Sequence, residues 1–345
     1  MHSIQLRPPY LLFMGAETRR TYAKTAQGIF DWRPELCAGQ LRLTENTVDL
    51  GLPDMTIEQA RQAGAGSLVI GTALVGGSIP HDWIDTLRAA TRAGMDIVGG
   101  LHTRLDSIPV LMEDAARAGT QLIDVRTAPA RLPIGTGVKR TGLRLLTVGT
   151  DCALGKKYTA LQLQKDMRAA GISADFRASG QTGIMIAGSG IPIDCIVADF
   201  LSGAAEILSP ENEPDHWDVI EGQGSIFHPG YAAVSHGLLL GSQPDAFVVC
   251  HAAGRTHIEG WGEFPVPSIG ELIQRTVQIG RLTNPGIRCV GIAVNTSALS
   301  SQEAAPYKAE LAERYQLPCV DPLADGTGPI VATLQTLSPA SSQRF

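Results

Sequence analysis

Two α/β domains, each a parallel sheet with helices packed against it, are what this sequence predicts, on three observations. The chain has 345 residues, more than one hydrophobic core of ordinary size accommodates. From about residue 47 short apolar runs alternate with amphipathic stretches, the pattern of successive βαβ units. That alternation stops over Arg126–Gly142, a polar stretch with three Gly and two Pro, and then restarts. The boundary is placed near residue 140, giving domains over 1–140 and 141–345.

In chain order, Tyr10–Met14 is an unbroken apolar run ending at Gly15, which reads as a buried strand, and a mixed polar stretch follows it. The spacing then predicts a helix over Thr56–Ala63, a strand over Ser67–Ile70, a helix over His81–Ala93 and a strand over Met95–Val98. A helix over Ile108–Ala118 and a strand over Gln121–Asp124 complete the first half. The second half begins with a strand at Leu143–Val148 and a helix at Lys156–Ala170. Strands are expected at Ile193–Val197, His216–Ile220, Ala246–Cys250 and Cys289–Val294, with a helix at Ile269–Ile279 and an Ala-rich helix at 303–316. The two halves do not repeat one another.

Composition narrows the function classes. With 44% hydrophobic and 18% charged residues, 38 Gly and 21 Pro, the chain suits a globular α/β protein rather than a fibrous or disordered one. The net charge of −6 is small and no Lys/Arg run exceeds two residues, which argues against nucleic acid and anionic membranes as partners. Six Cys without a Cys-x-x-Cys pair indicate neither a disulfide framework nor a zinc site, so no metal is assigned and a cytoplasmic location is expected. There is no secretory leader pattern and no 18-residue apolar run.

The strongest signal is Leu145-Leu-Thr-Val-Gly149-Thr150-Asp151-Cys152-Ala153-Leu154-Gly155-Lys156-Lys157-Tyr158-Thr159. An apolar strand feeds a Gly-bounded loop, and Gly-Lys opens a helix. Successive backbone N–H groups, the positive helix N-terminus and the Lys156 ammonium together suit a di- or triphosphate, so this is a P-loop. Five residues rather than four separate Gly149 from Gly155, and that spacing, with Gly-Thr-Asp, resembles the loop of dethiobiotin synthetases. Lys157 stands where a magnesium-binding Ser/Thr is usual, and Thr159 is the nearest hydroxyl. A loop that only holds a diphosphate can do without that metal.

Other candidates cluster at predicted strand ends, the edge where open α/β sheets bind ligands. Glu221 follows one strand and begins Glu-Gly-Gln-Gly-Ser-Ile-Phe-His228; Glu221 and His228 are candidate acid/base residues. His251, in His251-Ala-Ala-Gly-Arg255-Thr-His257, follows another and is a third, while Asp199 ends a strand expected over Cys195–Ala198. The polar segment Asp175–Gly183 reads as a loop over the same cleft, with Arg177, Ser179, Gln181 and Thr182 as substrate ligands. Arg177 is the natural partner of a carboxylate or phosphate, and Arg255 and His257 are further candidate substrate ligands. Asn295 ends a strand where related P-loop enzymes hydrogen-bond a purine. Ser225 does not sit in a Gly-x-Ser-x-Gly elbow and no Cys has a His at informative spacing, so no covalent acyl-enzyme is expected.

Taken together, Ala23-Lys-Thr-Ala-Gln-Gly28, Trp32-Arg-Pro-Glu35, the Gly149–Lys156 loop, Phe176-Arg-Ala-Ser-Gly-Gln-Thr-Gly183, Glu221-Gly-Gln-Gly-Ser225 and Gly254-Arg-Thr-His257 resemble the bacterial D-glutamate N-acetyltransferase family. The resemblance spans nearly the whole chain. It implies an N-terminal Rossmann-like domain, a C-terminal P-loop NTPase-like domain, acetyl-CoA as co-substrate and D-glutamate as acceptor. On that reading the loop holds the coenzyme diphosphate, Arg177 and Arg255 hold carboxylates, and Glu221 or a nearby His takes the proton. The rival readings are an ATP- and magnesium-dependent ligase or kinase acting on a small carboxylate, and a non-catalytic nucleotide sensor. The paired domains and the 303–316 helix make a homo-oligomer, a dimer or larger, the expected assembly.

Overall fold

The computed structural model of the protein describes residues 4–73 and 77–337. The chain forms two compact units: one comprises the chain up to Ala128 together with Gln181–Pro192, the other Pro129–Gly180 and the chain from Ile193 onward.

The first unit contains β1 (Tyr10–Gly15), α1 (Lys24–Trp32), β2 (Cys37–Arg42), α2 (Ile57–Gln62), β3 (Ser67–Ile70), α3 (Ile84–Arg92), β4 (Asp96–Gly99), α4 (Pro109–Ala118) and β5 (Leu122–Asp124). Its five strands pair in parallel in the order β2-β1-β3-β4-β5. Every residue of β1 is buried, as an apolar run on an interior strand of a parallel sheet must be. Local signals set the helix ends. Thr56 and Gln59 form a capping box on α2, and α4 begins with Pro109 and stops at Gly119 in the left-handed region. Leu11, Phe13, Leu68, Ile70, Leu87 and Ile97 form the core, with the Trp83 ring edge-on to Phe13 at 5.0 Å.

The second unit contains β6 (Leu143–Gly149), α5 (Lys156–Ala169) and β7 (Ala174–Arg177); the chain then contributes α6 (Gln181–Ala187) to the first unit. It continues with α7 (Leu201–Leu208), β8 (Trp217–Ile220), α8 (Ala232–Ser242), β9 (Ala246–Ala252), the two-stranded hairpin β10 (His257–Ile258) and β11 (Trp261–Pro265), and α9 (Ile269–Gly280). The last elements are β12 (Arg288–Asn295), α10 (Ser301–Tyr315), β13 (Cys319–Val320) and α11 (Gly328–Gln335). Six strands pair in parallel in the order β13-β12-β9-β6-β8-β7. The order reverses around β6: β8 and β7 lie to one side, β9, β12 and β13 to the other. Ligands of such sheets bind outside the strand ends at that switch.

Some expectations need correction. The stretch after β1 is not featureless: it holds α1 and β2, hidden because β2 buries Gly39 and Gln40 rather than an apolar row. Ile193–Val197 is not a strand. Ile193–Cys195 and Ala198–Phe200 are 3-10 turns, and the buried Ile193 and Ile196 are three residues apart, the period of a turn rather than of a strand. Asp199 therefore ends no strand and lies exposed in the second turn. The segment Asp175–Gly183 is not one loop, because Ala174–Arg177 is β7 and Gln181 opens α6.

Beneath the second sheet's edge lies a buried charge network. Arg177 Nε donates to Asp218 Oδ1 at 2.7 Å, Ser209 Oγ to Asp218 Oδ2 at 2.6 Å, and Arg144 Nε to Ser209 Oγ at 2.8 Å. Arg144 also donates to the carbonyls of Arg140, Gly142, Thr141 and Pro210. Buried ions persist only when hydrogen-bonded and paired in this way.

Candidate active site

Three neighbouring strands of the second sheet end at one place. Gly149 closes β6, Glu221 follows β8, and His251 lies near the end of β9 in register with Val294 of β12. The switch in strand order thus gathers the phosphate loop and two candidate acid/base residues.

The loop is anchored from below. Leu154 is buried in the core beside Leu145 and Leu163, and Thr150 N donates to the Cys250 carbonyl. Ala153 and Gly155 adopt positive φ of 52° and 96°, turning the chain into α5. Lys156 is buried and folds its ammonium back to donate to the Asp151 carbonyl at 2.7 Å. Burial lowers its pKa. A Cβ at Gly149 would lie 3.0 Å from both the Asp151 carbonyl oxygen and Lys156 Nζ, so a side chain there would fill the cradle. Thr159 is buried and accepts a hydrogen bond from the Cys250 thiol, and Lys157 places its ammonium 4.9 Å from the centre of the Tyr158 ring.

Asp151 organises the cradle's rim. Its buried carboxylate accepts from Cys152 N at 2.6 Å through Oδ1, and from Arg255 Nη1 and Glu259 N, each at 2.9 Å, through Oδ2. Arg255 also donates to the Cys152 carbonyl at 2.9 Å. The β10–β11 hairpin, which begins just after Arg255, is thereby tied to the loop.

Glu221 is almost fully buried, and its Oε2 accepts from both Ser179 N and Gly180 N at 3.0 Å. Desolvation dominates over these bonds and over Lys157, pushing its pKa up to about 7, where a carboxylate exchanges protons near neutrality. Ser179 Oγ donates to the Glu221 carbonyl and Gln223 Nε2 to Ser179 Oγ. Gln223 is a site residue that the sequence did not single out, because nothing in its spacing marks it.

The two histidines differ. His251 Nδ1 lies 3.0 Å from Thr150 Oγ1, and burial followed by Arg255 lowers its pKa, so the ring is neutral at pH 7. His228 is buried between Tyr231, stacked at 4.5 Å, and Trp261, edge-on at 4.6 Å. Gly230 N donates to its Nδ1, so the neutral ring carries its proton on Nε2. Nε2 is fully buried, has no hydrogen-bond partner among the described residues, and faces Asp151 Oδ1 at 4.0 Å. Burial lowers this pKa also. Asp151, Cys152 and His228 bring an oxygen, a sulfur and a ring nitrogen within 4.8 Å of one another. A ring nitrogen that carries the proton is a donor there rather than a metal ligand.

The remaining candidates are distributed as follows. Arg177 is paired with two carboxylates, Asp218 at 2.7 Å and Asp175 at 3.6 Å. Gln181 and Thr182 belong to the first unit, where Thr182 Oγ1 is 3.1 Å from Thr25 Oγ1. His257 is exposed on the hairpin, its Nδ1 3.0 Å from Thr256 Oγ1. Asn295 Oδ1 accepts from Ser297 N, a local turn at the end of β12. Among the described residues no helix is long and apolar enough to cross a membrane.

Residues 133–331 match the family model described as the DUF1611_C P-loop domain, and residues 38–128 match the DUF1611_N Rossmann-like domain, both domains of unknown function. A protein named D-glutamate N-acetyltransferase from a Pseudoalteromonas species is 48% identical, over 96% of this chain and 100% of its own length. One of the same name from Tritonibacter scottomollicae is 46% identical, over 95% of this chain and 99% of its own. The crystal structure of a DUF1611 family protein from Anabaena variabilis superposes with a TM-score of 0.86 at 31% identity, covering 96% of this chain and all of that one.

Proposed function

We propose, from the premise that this chain belongs to the DUF1611 family, that it is an N-acetyltransferase acting on the amino group of D-glutamate. The two relatives that bear this activity in their names match it from end to end, so both domains of the activity are present here. The observation that carries the chemistry is the Glu221 carboxyl, buried at the end of β8 and held by Ser179 N and Gly180 N beside the phosphate loop; burial pushes its pKa up to about 7.

Acetyl-CoA is the acyl donor in this reading; when bound it supplies an activated acetyl thioester and a diphosphate. The loop fits a diphosphate: it has a helix N-terminus, a buried ammonium at Lys156, and a bowl that a Cβ at Gly149 would fill. Lys156 and the loop from Gly149 to Thr159 hold the donor's phosphates, with Asn295 toward the base. Glu221 takes a proton from the substrate ammonium, since a base with a pKa near the working pH transfers it best. His251, neutral at pH 7, is the second candidate for that proton. Arg255 and His257 lie on the rim and its hairpin and receive substrate carboxylates, Arg255 by exchanging Asp151 for the ligand. Ser179 positions Glu221 through its backbone N–H. Arg177, tied to Asp218, acts by holding β7 against β8.

The ATP-dependent alternative finds little support in these residues. Magnesium chemistry on a P-loop uses a hydroxyl beside Gly-Lys, and here that position is Lys157 while Thr159 is buried against Cys250. The test is to mix the protein with acetyl-CoA and D- or L-glutamate and follow free thiol, with MgATP as a parallel arm. Thiol release with D-glutamate alone is the expected result. ATP turnover dependent on a carboxylate, with no thiol release, would remove the acetyltransferase reading.

A further inference from the structure

In the phosphate loop, the backbone of Cys152 is engaged by Asp151 and Arg255, while its thiol stands among groups able to activate it. Its sulfur lies within 4.8 Å of an imidazole nitrogen of His228 and a carboxylate oxygen of Asp151. The Lys156 ammonium, held at the Asp151 carbonyl 2.7 Å away, acts electrostatically on Cys152. Cys152 also lies in the loop that leads into α5, a 14-residue helix whose positive N-terminal end favours a nearby thiolate. A second observation points to a ligand at this spot. His228 Nε2 is fully buried, unpartnered among the described residues and turned toward Asp151, and a buried donor of this kind calls for an acceptor to be brought in.

We infer that Cys152 is an acetyl-carrying nucleophile, with Lys156 as its proton partner and His228 as hydrogen-bond donor to the acetyl oxygen; this rests on the acetyl-transfer reading. In the first half-reaction the Cys152 sulfur bonds to the acetyl carbon and the donor's carbon–sulfur bond breaks. The Cys152 proton passes through Lys156 to the departing thiolate, so one thioester replaces another. In the second, the glutamate nitrogen bonds to the acetyl carbon and the Cys152 carbon–sulfur bond breaks. Of the two protons the ammonium loses, one goes to Glu221 and the other restores the Cys152 thiol. With its Nδ1 taken by Gly230 N–H, His228 meets the carbonyl oxygen with Nε2–H, a neutral donor to the charge that develops there. An acetyl group on Cys152 sits at the loop's rim, so a coenzyme whose diphosphate occupies the loop must fold its pantetheine arm back.

The experiment is intact-mass and peptide analysis of the full chain mixed with acetyl-CoA and no acceptor, together with initial rates over both substrates. The expected result is one acetyl group on Cys152, lost on adding D-glutamate, and parallel double-reciprocal lines. Cys152→Ala should lose the adduct and more than about a thousandfold in kcat, as removal of a nucleophile does. Cys152→Ser, a smaller perturbation of the fold, should accumulate a slowly discharged acetyl ester. His228→Gln, which keeps an N–H donor near Nε2, should retain activity within about tenfold, and His228→Ala should not. A wild-type chain that acetylates D-glutamate with intersecting lines and stays unmodified overturns the nucleophile and leaves the transfer reading standing. A chain that acquires the adduct but does not discharge it to D-glutamate keeps the nucleophile and removes the acceptor.

Discussion

Replacing Glu221 by Gln should make this protein more stable and less active at once, and the size of the first effect can be worked from the structure. Desolvation moves the carboxyl from its ordinary 4.5 to about 7. Ionising it inside the fold therefore costs about 3 kcal/mol, at 1.36 kcal/mol per tenfold in proton affinity. The sign follows from linkage. Below pH 4.5 folded and unfolded chains both hold the proton; between about 4.5 and 7 only the folded chain does, so stability falls as pH rises through that window and is level above it. Both amide donors, Ser179 N and Gly180 N, meet a single oxygen, Oε2, so a Gln carbonyl can take its place without orphaning either. The variant should match wild type near pH 4 and exceed it by about 3 kcal/mol at pH 8, a rise of roughly 6–12 °C for a domain of this size. Its kcat should fall roughly a hundred- to ten-thousandfold, the usual loss with a general base. Urea unfolding at pH 4, 6 and 8 and thiol-release rates over the same range read both effects. Equal stability of the two proteins at pH 8, or near-native activity of the variant, would refute the burial argument and the base assignment respectively.

Three further outcomes follow from the same structure. Lys156→Ala should raise the Michaelis constant for acetyl-CoA, measured by thiol release over a donor titration; an unchanged value would detach the phosphates from the loop. Asp218→Ala removes the carboxylate 2.7 Å from the buried Arg177, leaving it Asp175 at 3.6 Å, and takes the acceptor from Ser209 Oγ; it should destabilise the chain by about 3 kcal/mol in denaturant unfolding, as breaking a buried ion pair does. Gly222→Ala places a Cβ 1.6 Å from the Thr147 carbonyl oxygen, where Gly222 N also donates to Thr147 Oγ1 at 2.9 Å; it should cost at least about 3 kcal/mol and displace Glu221, visible as lower stability and lost activity together.

The sequence by itself determined the architecture and the loop. Apolar runs such as Leu11–Met14 and Leu145–Val148 are buried on both faces of parallel sheets, so their hydrophobicity is continuous and readable without knowing their neighbours. The phosphate loop is equally local, because strand, turn and helix follow one another within about one βα unit. What failed locally was decided elsewhere. The edge strand β2 carries few apolar residues, and Ile193–Val197 is apolar because it covers a core in turns rather than because it extends. Only the tertiary structure could place Gln181–Pro192 in the first unit, surround Glu221 with enough protein to lift its pKa, and give Arg177 to Asp218. It alone brings His228 and Cys152 together, across a strand order that reverses at β6, where the sequence had offered no Cys with a His nearby. The physical reason is the same in each case: periodicity reports which face of an element is buried, whereas proton affinity and nucleophilicity depend on what the rest of the chain packs around a group.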